Sequence, residues 1–349
     1  MKKKLKIVLI SYVFFPHTTP RAFRVFELAK YFLSKGHEVT VYTADNGCNY
    51  GEFKSRHGMN VVKIKPGFLF NKKCPYPLYL INQNTDESKN VVKKKNSKIR
   101  KVKRIIKDVY KLDIVKKLYE MLYLGGDSFE FSIMLFKELV KDKNNYDLMI
   151  SVGLPVCSHI GSALSLTFSK DLANVSVADY GDPFSYNMSI KKPGWFHPFI
   201  ERNFLKKFNF VSVPIKEAIP AYDKLNIEEK IRIIPQGLNI KNVKLSDVLN
   251  SSDKPEFAYA GGFMLKYRNP SVLLDYLSKL DMDFRFTIYT SLKQLEIKDL
   301  LFRYKKFLGE KLIIKDLLPR DKCIYELSKF DFLLNINNQT AYQSPSIIN

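Results

Sequence analysis

Four short stretches of this chain carry residues whose types and spacing suit chemistry. The first is Asp179-Tyr180-Gly181-Asp182-Pro183-Phe184, two acids three residues apart on a loop, with Gly181 allowing close approach. It has the makeup of a site, although a paired acid of this kind is weakly specific. The plainer alternative is that Asp182 caps a turn and Asp179 is solvated. The second is Pro20-Arg21-Ala22-Phe23-Arg24, where Arg21 and Arg24 fall in the first turn of a helix. Cations there oppose the macrodipole, so helix stability does not account for them. They would suit an anion, which free N–H groups at a helix start already favour. Otherwise both are solvated surface residues. The third is Ala260-Gly261-Gly262 followed by Lys266 and Arg268. Glycines after a strand let backbone approach a diphosphate, and a nearby cation can stabilise a leaving nucleotide. An ordinary turn with solvated charges would read the same.

The fourth stretch is electrostatic. Residues 89–117 hold thirteen Lys or Arg against two Asp, with Val102, Ile105, Ile106, Val109 and Leu112 at helical spacing. A basic amphipathic helix suits an anionic membrane surface. It could equally be a helix covering a sheet, with a lysine-rich outer face. Lys93, Lys94, Lys95, Arg100, Lys101 and Arg104 are the charges a membrane would meet.

The elements that position these stretches are α/β. Ile7 to Tyr12 is a short apolar run, suited to a strand buried on both faces. Two prolines and two threonines break the period after Phe14. Arg21 to Ser34 has apolar residues at helical spacing, and Gly36 closes it. Glu38 to Thr43 is a second strand. Strand, crossover helix and strand within about 40 residues make a βαβ unit and hence a parallel sheet. Ligands of such sheets sit beyond the carboxyl ends of the strands. Asn46 to Gly58 reads as a loop, Asn60 to Lys65 as a third strand, and 66–84 as an irregular excursion. Further strands are expected at Tyr146–Val152, Asn174–Ala178, Phe208–Pro214 and Ile231–Ile234, with helices at 119–140, Val156–Phe168, Trp195–Lys207 and Glu217–Leu225. His159 reads as a packed residue rather than a catalytic one.

The pattern then restarts. Strands are expected at Glu256–Ala260, Phe284–Tyr289, Lys311–Lys315 and Phe332–Ile336, with helices at Asn269–Leu280, Leu295–Leu308 and Pro319–Phe330. Two separate runs of alternation indicate two Rossmann-like domains. The expected division is 1–239 for the first, a polar linker at 240–254, and 255–349 for the second.

The chain has 349 residues, 46% of them hydrophobic, enough for two ordinary cores. Its net charge of +22 calls for an acidic small molecule, an anionic membrane or a nucleic acid as partner, or a plain lysine bias. No RRM, KH or zinc-finger signature is present, so nucleic acid is not expected. Four scattered cysteines, without a CxxC pair, fit a reducing compartment and give no disulfide framework or cysteine zinc site. Met1-Lys2-Lys3-Lys4 before an apolar run imitates a signal peptide, but Lys6 interrupts it and the same residues are needed as the first strand. No apolar stretch is long enough to span a membrane. A cytoplasmic location follows as an expectation.

The same stretches resemble the retaining glycosyltransferases of the GT-B fold, family 4, over nearly the whole chain. At the N-terminus the likeness lies in Tyr12-x-x-Phe15-Pro16, Pro20-Arg21-Ala22-Phe23-Arg24, Glu27-Leu28-Ala29 and Gly36-His37-Glu38-Val39-Thr40-Val41. Many relatives carry Gly-Gly after the first strand, where this chain has Thr19-Pro20-Arg21, so arginine side chains would replace bare backbone. The Gly181-Asp182-Pro183 run matches the family's Asp-Pro motif. The resemblance implies that Asp182 and Asp179 stand near the acceptor hydroxyl. It implies a nucleotide-sugar donor of UDP or GDP type held at Gly261, Gly262, Lys266 and Arg268, with Phe263 where relatives often carry another arginine. Leu317-Leu318-Pro319-Arg320 resembles the loop whose backbone meets the nucleotide base. Ser344 and Ser346 fall in a stretch similar to Gln-x-Pro-Ser-Lys, without the lysine. The fold class needs no metal. The acceptor implied is an envelope polysaccharide or a lipid-linked sugar, with the protein peripheral on the inner face of the plasma membrane. Relatives continue beyond this point and carry acids here, whereas residues 332–349 contain no Asp or Glu. A shortened chain of weak or no activity, acting as a binding protein, is the alternative expectation.

Overall fold

The computed structural model describes residues 3–17, 19–65, 129–153, 155–187, 195–235, 244–247 and 253–336. The chain divides into two units, Met1–Pro235 and Gln236–Asn349. The basic stretch 89–117 and residues Ser344 and Ser346 lie outside the described residues.

In the first unit the order is β1 (Lys6–Ser11), α1 (Pro20–Ser34), β2 (Glu38–Ala44), α2 (Phe53–His57), β3 (Asn60–Ile64), α3 (Phe129–Lys141), β4 (Tyr146–Val152), α4 (Cys157–Phe168), β5 (Ala173–Asp179), α5 (His197–Leu205), β6 (Phe210–Val213), α6 (Ile219–Asp223) and β7 (Ile231–Ile233). Among the described residues the strands form one sheet in the order β3-β2-β1-β4-β5-β6-β7, with every pair parallel. The order reverses between β1 and β4, so a topological switch point lies beyond their carboxyl ends.

β1 shows why both faces are covered. Its side chains alternate, so Ile7 and Leu9 pack with Val25 and Ala29 of α1, while Val8 and Ile10 pack with Leu135 and Leu139 of α3 and Cys157 of α4. A strand buried on both sides has no room for a polar alternate, which is why it reads as one apolar run.

In the second unit the order is β8 (Glu256–Ala260), α7 (Ser271–Ser278), β9 (Arg285–Tyr289), α8 (Leu295–Leu308), β10 (Leu312–Lys315), α9 (Arg320–Leu327) and β11 (Phe332–Leu333). The described strands form a parallel sheet in the order β10-β9-β8-β11. The direction reverses at β8, so a second switch point lies beyond the carboxyl ends of β8 and β11.

Three local expectations change. The stretch 46–58, read as loop, contains α2, because Phe53 is buried against Phe14, Phe26 and Tyr50 and Gly58 closes the turn with φ of 72°. The helix read at Glu217–Leu225 opens as a 3₁₀ turn over Lys216–Ala218 before α6. The final strand is shorter than the apolar run that announces it, pairing only Phe332 with Phe257 and Leu333 with Ala258.

Candidate functional site

The first site is assembled at the carboxyl ends of β1 and β5. Thr19 caps α1, its hydroxyl accepting from the Ala22 N–H at 3.3 Å, and Pro20 occupies the first turn. That turn holds Arg21 and Arg24 and no acid. Three residues apart on a helix, the two side chains share a face. The negative charge the helix start favours is supplied from far along the chain. Arg21 Nη2 donates to Asp182 Oδ2 at 2.8 Å. Arg24 grips Asp179 with two donors, Nε on Oδ2 and Nη2 on Oδ1, the latter at 2.6 Å.

Strand register completes the grip. Asp179 is the last residue of β5 and stands level with Val152 of β4 and Ser212 of β6. The Ser212 hydroxyl therefore lies beside the carboxylate and donates to Oδ1 at 2.5 Å. Asp179 thus takes three donors while its side chain is 3% exposed, whereas Asp182 accepts from Arg21 and is 28% exposed. The two acids differ in what they can still do. Asp179 is committed to holding Arg24 and Ser212, and Asp182 retains an accessible face.

Gly181 is explained by the same contact. A Cβ at that position would fall 1.4 Å from Arg21 Nη1 and 1.9 Å from Cζ, so only glycine lets the guanidinium lie against the loop. Gly153 plays the corresponding part after β4, since a Cβ there would meet His159 Nε2 at 2.4 Å.

Beneath the loop is a buried polar layer that the sequence did not announce. His159 is fully buried, its Nδ1 within 2.9 Å of the Ser151 hydroxyl and its ring 4.4 Å from that of Tyr180. Burial, and then the charge of Arg21, push its pKa down to about 3, so the ring is neutral. It is a packed histidine. Glu201 of α5 is fully buried and accepts from the Ser185 N–H at 2.9 Å. Burial raises its carboxyl above the usual range, against hydrogen bonds from Ser185 and Tyr180 that lower it. Tyr180 and Tyr222 pack edge to face at 5.5 Å, and burial lifts both hydroxyls well above the usual tyrosine range. The spacing of Arg21 and Arg24 was the one available signal that their partners share a surface.

In the second unit, Gly261 and Gly262 follow β8 at its switch point. A Cβ on Gly262 would meet nothing within 4 Å, so the backbone there is open to approach. Met264 and Arg268 close a tight turn, the Arg268 N–H donating to the Met264 carbonyl at 2.6 Å. The Arg268 side chain is buried, with Nη1 donating to the Gly262 carbonyl at 3.4 Å, and Tyr259 donates to the same carbonyl at 3.1 Å. Phe263 is buried and stacks on Tyr259 at 4.7 Å. Lys266 lies over the Tyr267 ring at 5.2 Å.

A cavity of 730 Å³ opens beside β9, β10 and α9, lined by Lys244, Tyr289, Lys315, Leu318, Asp321, Lys322, Tyr325 and Glu326. Lys315 sits over the Tyr289 ring at 5.5 Å. Burial, and then Glu326 and Cys323, push the Tyr289 hydroxyl up to about 12. The cavity takes Leu318 from the stretch 317–320, but not Pro319 or Arg320, and it does not reach Gly261, Gly262, Lys266 or Arg268. Pro319 is instead the cap of α9, and Arg320 its first residue. Among the described residues no cluster of His, Cys, Asp and Glu could hold a metal ion.

No protein-family model and no curated protein matches this chain. Solved structures do. A glycosyltransferase from Rickettsia africae ESF-5 superposes with a TM-score of 0.56 at 14% identity, covering 95% of this chain and 72% of the other. HepE of Anabaena, solved with UDP and glucose, gives a TM-score of 0.56 at 11% identity, covering 94% and 73%. TarM gives 0.59 at 12% identity, covering 98% and 82%. With its seven-stranded and four-stranded parallel sheets, the chain has the fold of the GT-B glycosyltransferases.

Proposed function

We propose that this chain transfers a glycosyl group from a nucleotide-sugar donor to a polysaccharide or lipid-linked acceptor, with the retaining chemistry of family 4. The observation that carries the reading is that two functional stretches stand beyond the carboxyl ends of parallel strands, one joined to α1 at the β1–β4 switch point and one at the switch point of β8. Asp182 stands beyond β5 with its Arg21 partner. Gly261 and Gly262 stand beyond β8. Both are the places where open parallel sheets take ligands.

In this reading the second unit takes the donor. The open backbone after β8 receives the diphosphate, with Lys266 and Arg268 near it, and Tyr289, Lys315 and Leu318 receive the nucleotide. HepE was solved with UDP and glucose, which supports a uridine donor. The first unit takes the acceptor, whose hydroxyl meets Asp182, while Asp179 holds Arg24 and keeps the first turn of α1 in place. Arginine, lysine and backbone N–H groups offset the diphosphate charge without a metal. The basic stretch 89–117 is assigned to an anionic membrane surface on the cytoplasmic side, and nucleic acid is not assigned. The name of another similar structure, the lipopolysaccharide outer core galactosyltransferase WaaB, supports an acceptor of the cell envelope.

A second reading, a binding protein that keeps the fold without turnover, is favoured by Phe263 and Arg268. Phe263 fills the core where relatives often carry a cation, and Arg268 is turned onto the Gly262 carbonyl. Calorimetry of the full chain with UDP-glucose and GDP-mannose separates the cases. Binding accompanied by release of the nucleotide supports transfer. Binding without release supports the second reading. No binding at millimolar nucleotide sugar overturns the donor assignment.

A further inference from the structure

α5 of the first unit presents an unusual outer face. Its inward residues are His197, Glu201, Phe204 and Leu205, all buried. Trp195 lies on the turn just before the helix, and Phe199 and Asn203 follow it at four-residue intervals on the exposed side. Trp195 is 90% exposed and Phe199 is 68% exposed. Single apolar side chains on a surface are ordinary. Two large aromatics four residues apart, both mostly in water, forgo burial that each could gain elsewhere.

Charge on this segment has one sign at the surface. Between Trp195 and Lys207 the only acid is Glu201, and it is fully buried. Arg202 is half-buried, and Lys206 and Lys207 are exposed at the far end of the helix. The face therefore offers aromatic rings and cations together. Two aromatic side chains supply roughly 300–500 Å² of contact, well short of the ~800 Å² per partner of a stable protein interface. Such an area with adjoining cations suits a lipid headgroup boundary, where tryptophan concentrates and basic residues meet anionic lipid.

We propose that Trp195 and Phe199 insert into the interface of an anionic lipid bilayer, with Lys206 and Lys207 against its headgroups. This proposal uses other residues than the basic stretch 89–117 and does not depend on the donor assignment.

Trp195 is the single tryptophan of the chain, so intrinsic emission reports on this face alone. The full chain is titrated with vesicles of phosphatidylcholine, with and without phosphatidylglycerol. The expected result is a blue shift and protection from acrylamide on the phosphatidylglycerol vesicles. In co-sedimentation, Trp195→Ala with Phe199→Ala lowers partition about tenfold or more. Phe199→Ala alone lowers it less, with Trp195 still reporting, and Lys206→Glu with Lys207→Glu lowers it several-fold on the anionic vesicles only. The proposal is overturned if the chain sediments with vesicles while Trp195 emission and acrylamide quenching stay unchanged. It is overturned if the double alanine variant partitions like the parent. It is also overturned if the emission shift follows protein concentration without lipid, which would make this face a contact between two copies. UDP-glucose calorimetry on the same preparation is read separately. Insertion without nucleotide binding defeats the donor assignment and supports the membrane proposal, and nucleotide binding without insertion defeats the membrane proposal alone.

Discussion

Gly181 and Arg21 share one space, since a Cβ on residue 181 would fall 1.4 Å from Arg21 Nη1. The guanidinium that lies there also holds Asp182 at 2.8 Å. Gly181→Ala removes no charge and no hydrogen bond, yet it must push Arg21 off the loop. Overpacking of this kind costs about 1–3 kcal/mol. Urea unfolding should show that loss. Combining it with Arg21→Ala, which empties the space, should cost less than the sum of the two singles. Additive losses would mean that the loop accommodates the methyl some other way.

Arg24 and Asp179 are both nearly buried, and the carboxylate takes three donors. Removing one partner leaves an uncompensated buried charge. Arg24→Ala should therefore destabilise by roughly 3–5 kcal/mol. Arg24→Leu with Asp179→Asn should recover part of that loss, because the orphaned charge is gone. Denaturant midpoints at neutral pH decide this, and an Arg24→Ala variant as stable as the parent would contradict the buried pair.

His159 sets a pH dependence with a definite sign. Its folded pKa is lowered to about 3 from an ordinary 6.5, by burial first and Arg21 second. Between those values the unfolded chain binds the proton and the folded chain does not, so stability falls as pH drops through that window. The loss is on the order of a few kcal/mol by pH 3. His159→Gln should flatten the acid limb of a melting-temperature profile while leaving its neutral part lower or unchanged. An unchanged acid limb would refute a neutral buried ring.

Glu201 has the opposite slope. Its folded carboxyl is raised, with burial the largest cause, so the folded chain keeps a proton that the unfolded chain gives up above the ordinary carboxylate range. Stability is therefore lost as pH rises through that window. Glu201→Gln keeps the shape without the titration, and its stability relative to the parent should improve from acid to neutral pH. A constant difference across that range would show that Glu201 titrates normally.

The cavity beside β9 and β10 gives a test in the second unit. Leu318→Trp places a large side chain at its lining. Under the proposed donor role, UDP-glucose affinity should fall at least tenfold, while the melting temperature stays near that of the parent. Unchanged affinity would move the nucleotide away from this cavity.

Much of the fold was legible in the chain because local periodicity and burial agree. Ile7 to Ile10 is apolar without a break, since both faces of β1 are covered. The restart of alternation at Glu256 appears as a second parallel sheet. Where a single buried aromatic decides a local structure, the pattern is silent, as at Phe53 and α2. The stretches that carry chemistry were legible as types: two acids, two arginines, two glycines.

What those residues do to one another was decided only by the tertiary structure. Asp179 and Asp182 stand more than 150 positions from Arg24 and Arg21, and no short-range pattern couples residues so far apart. The strand order brings β5 beside β4, and β4 beside β1. Parallel register then sets Asp179 level with Ser212, and the crossover after β1 delivers α1 to the same edge. By itself the sequence determined which groups are available and which elements carry them. The sheet order determined that the cations of α1 meet the acids of β5, because hydrogen-bonded strand pairing fixes distances that spacing along the chain leaves open.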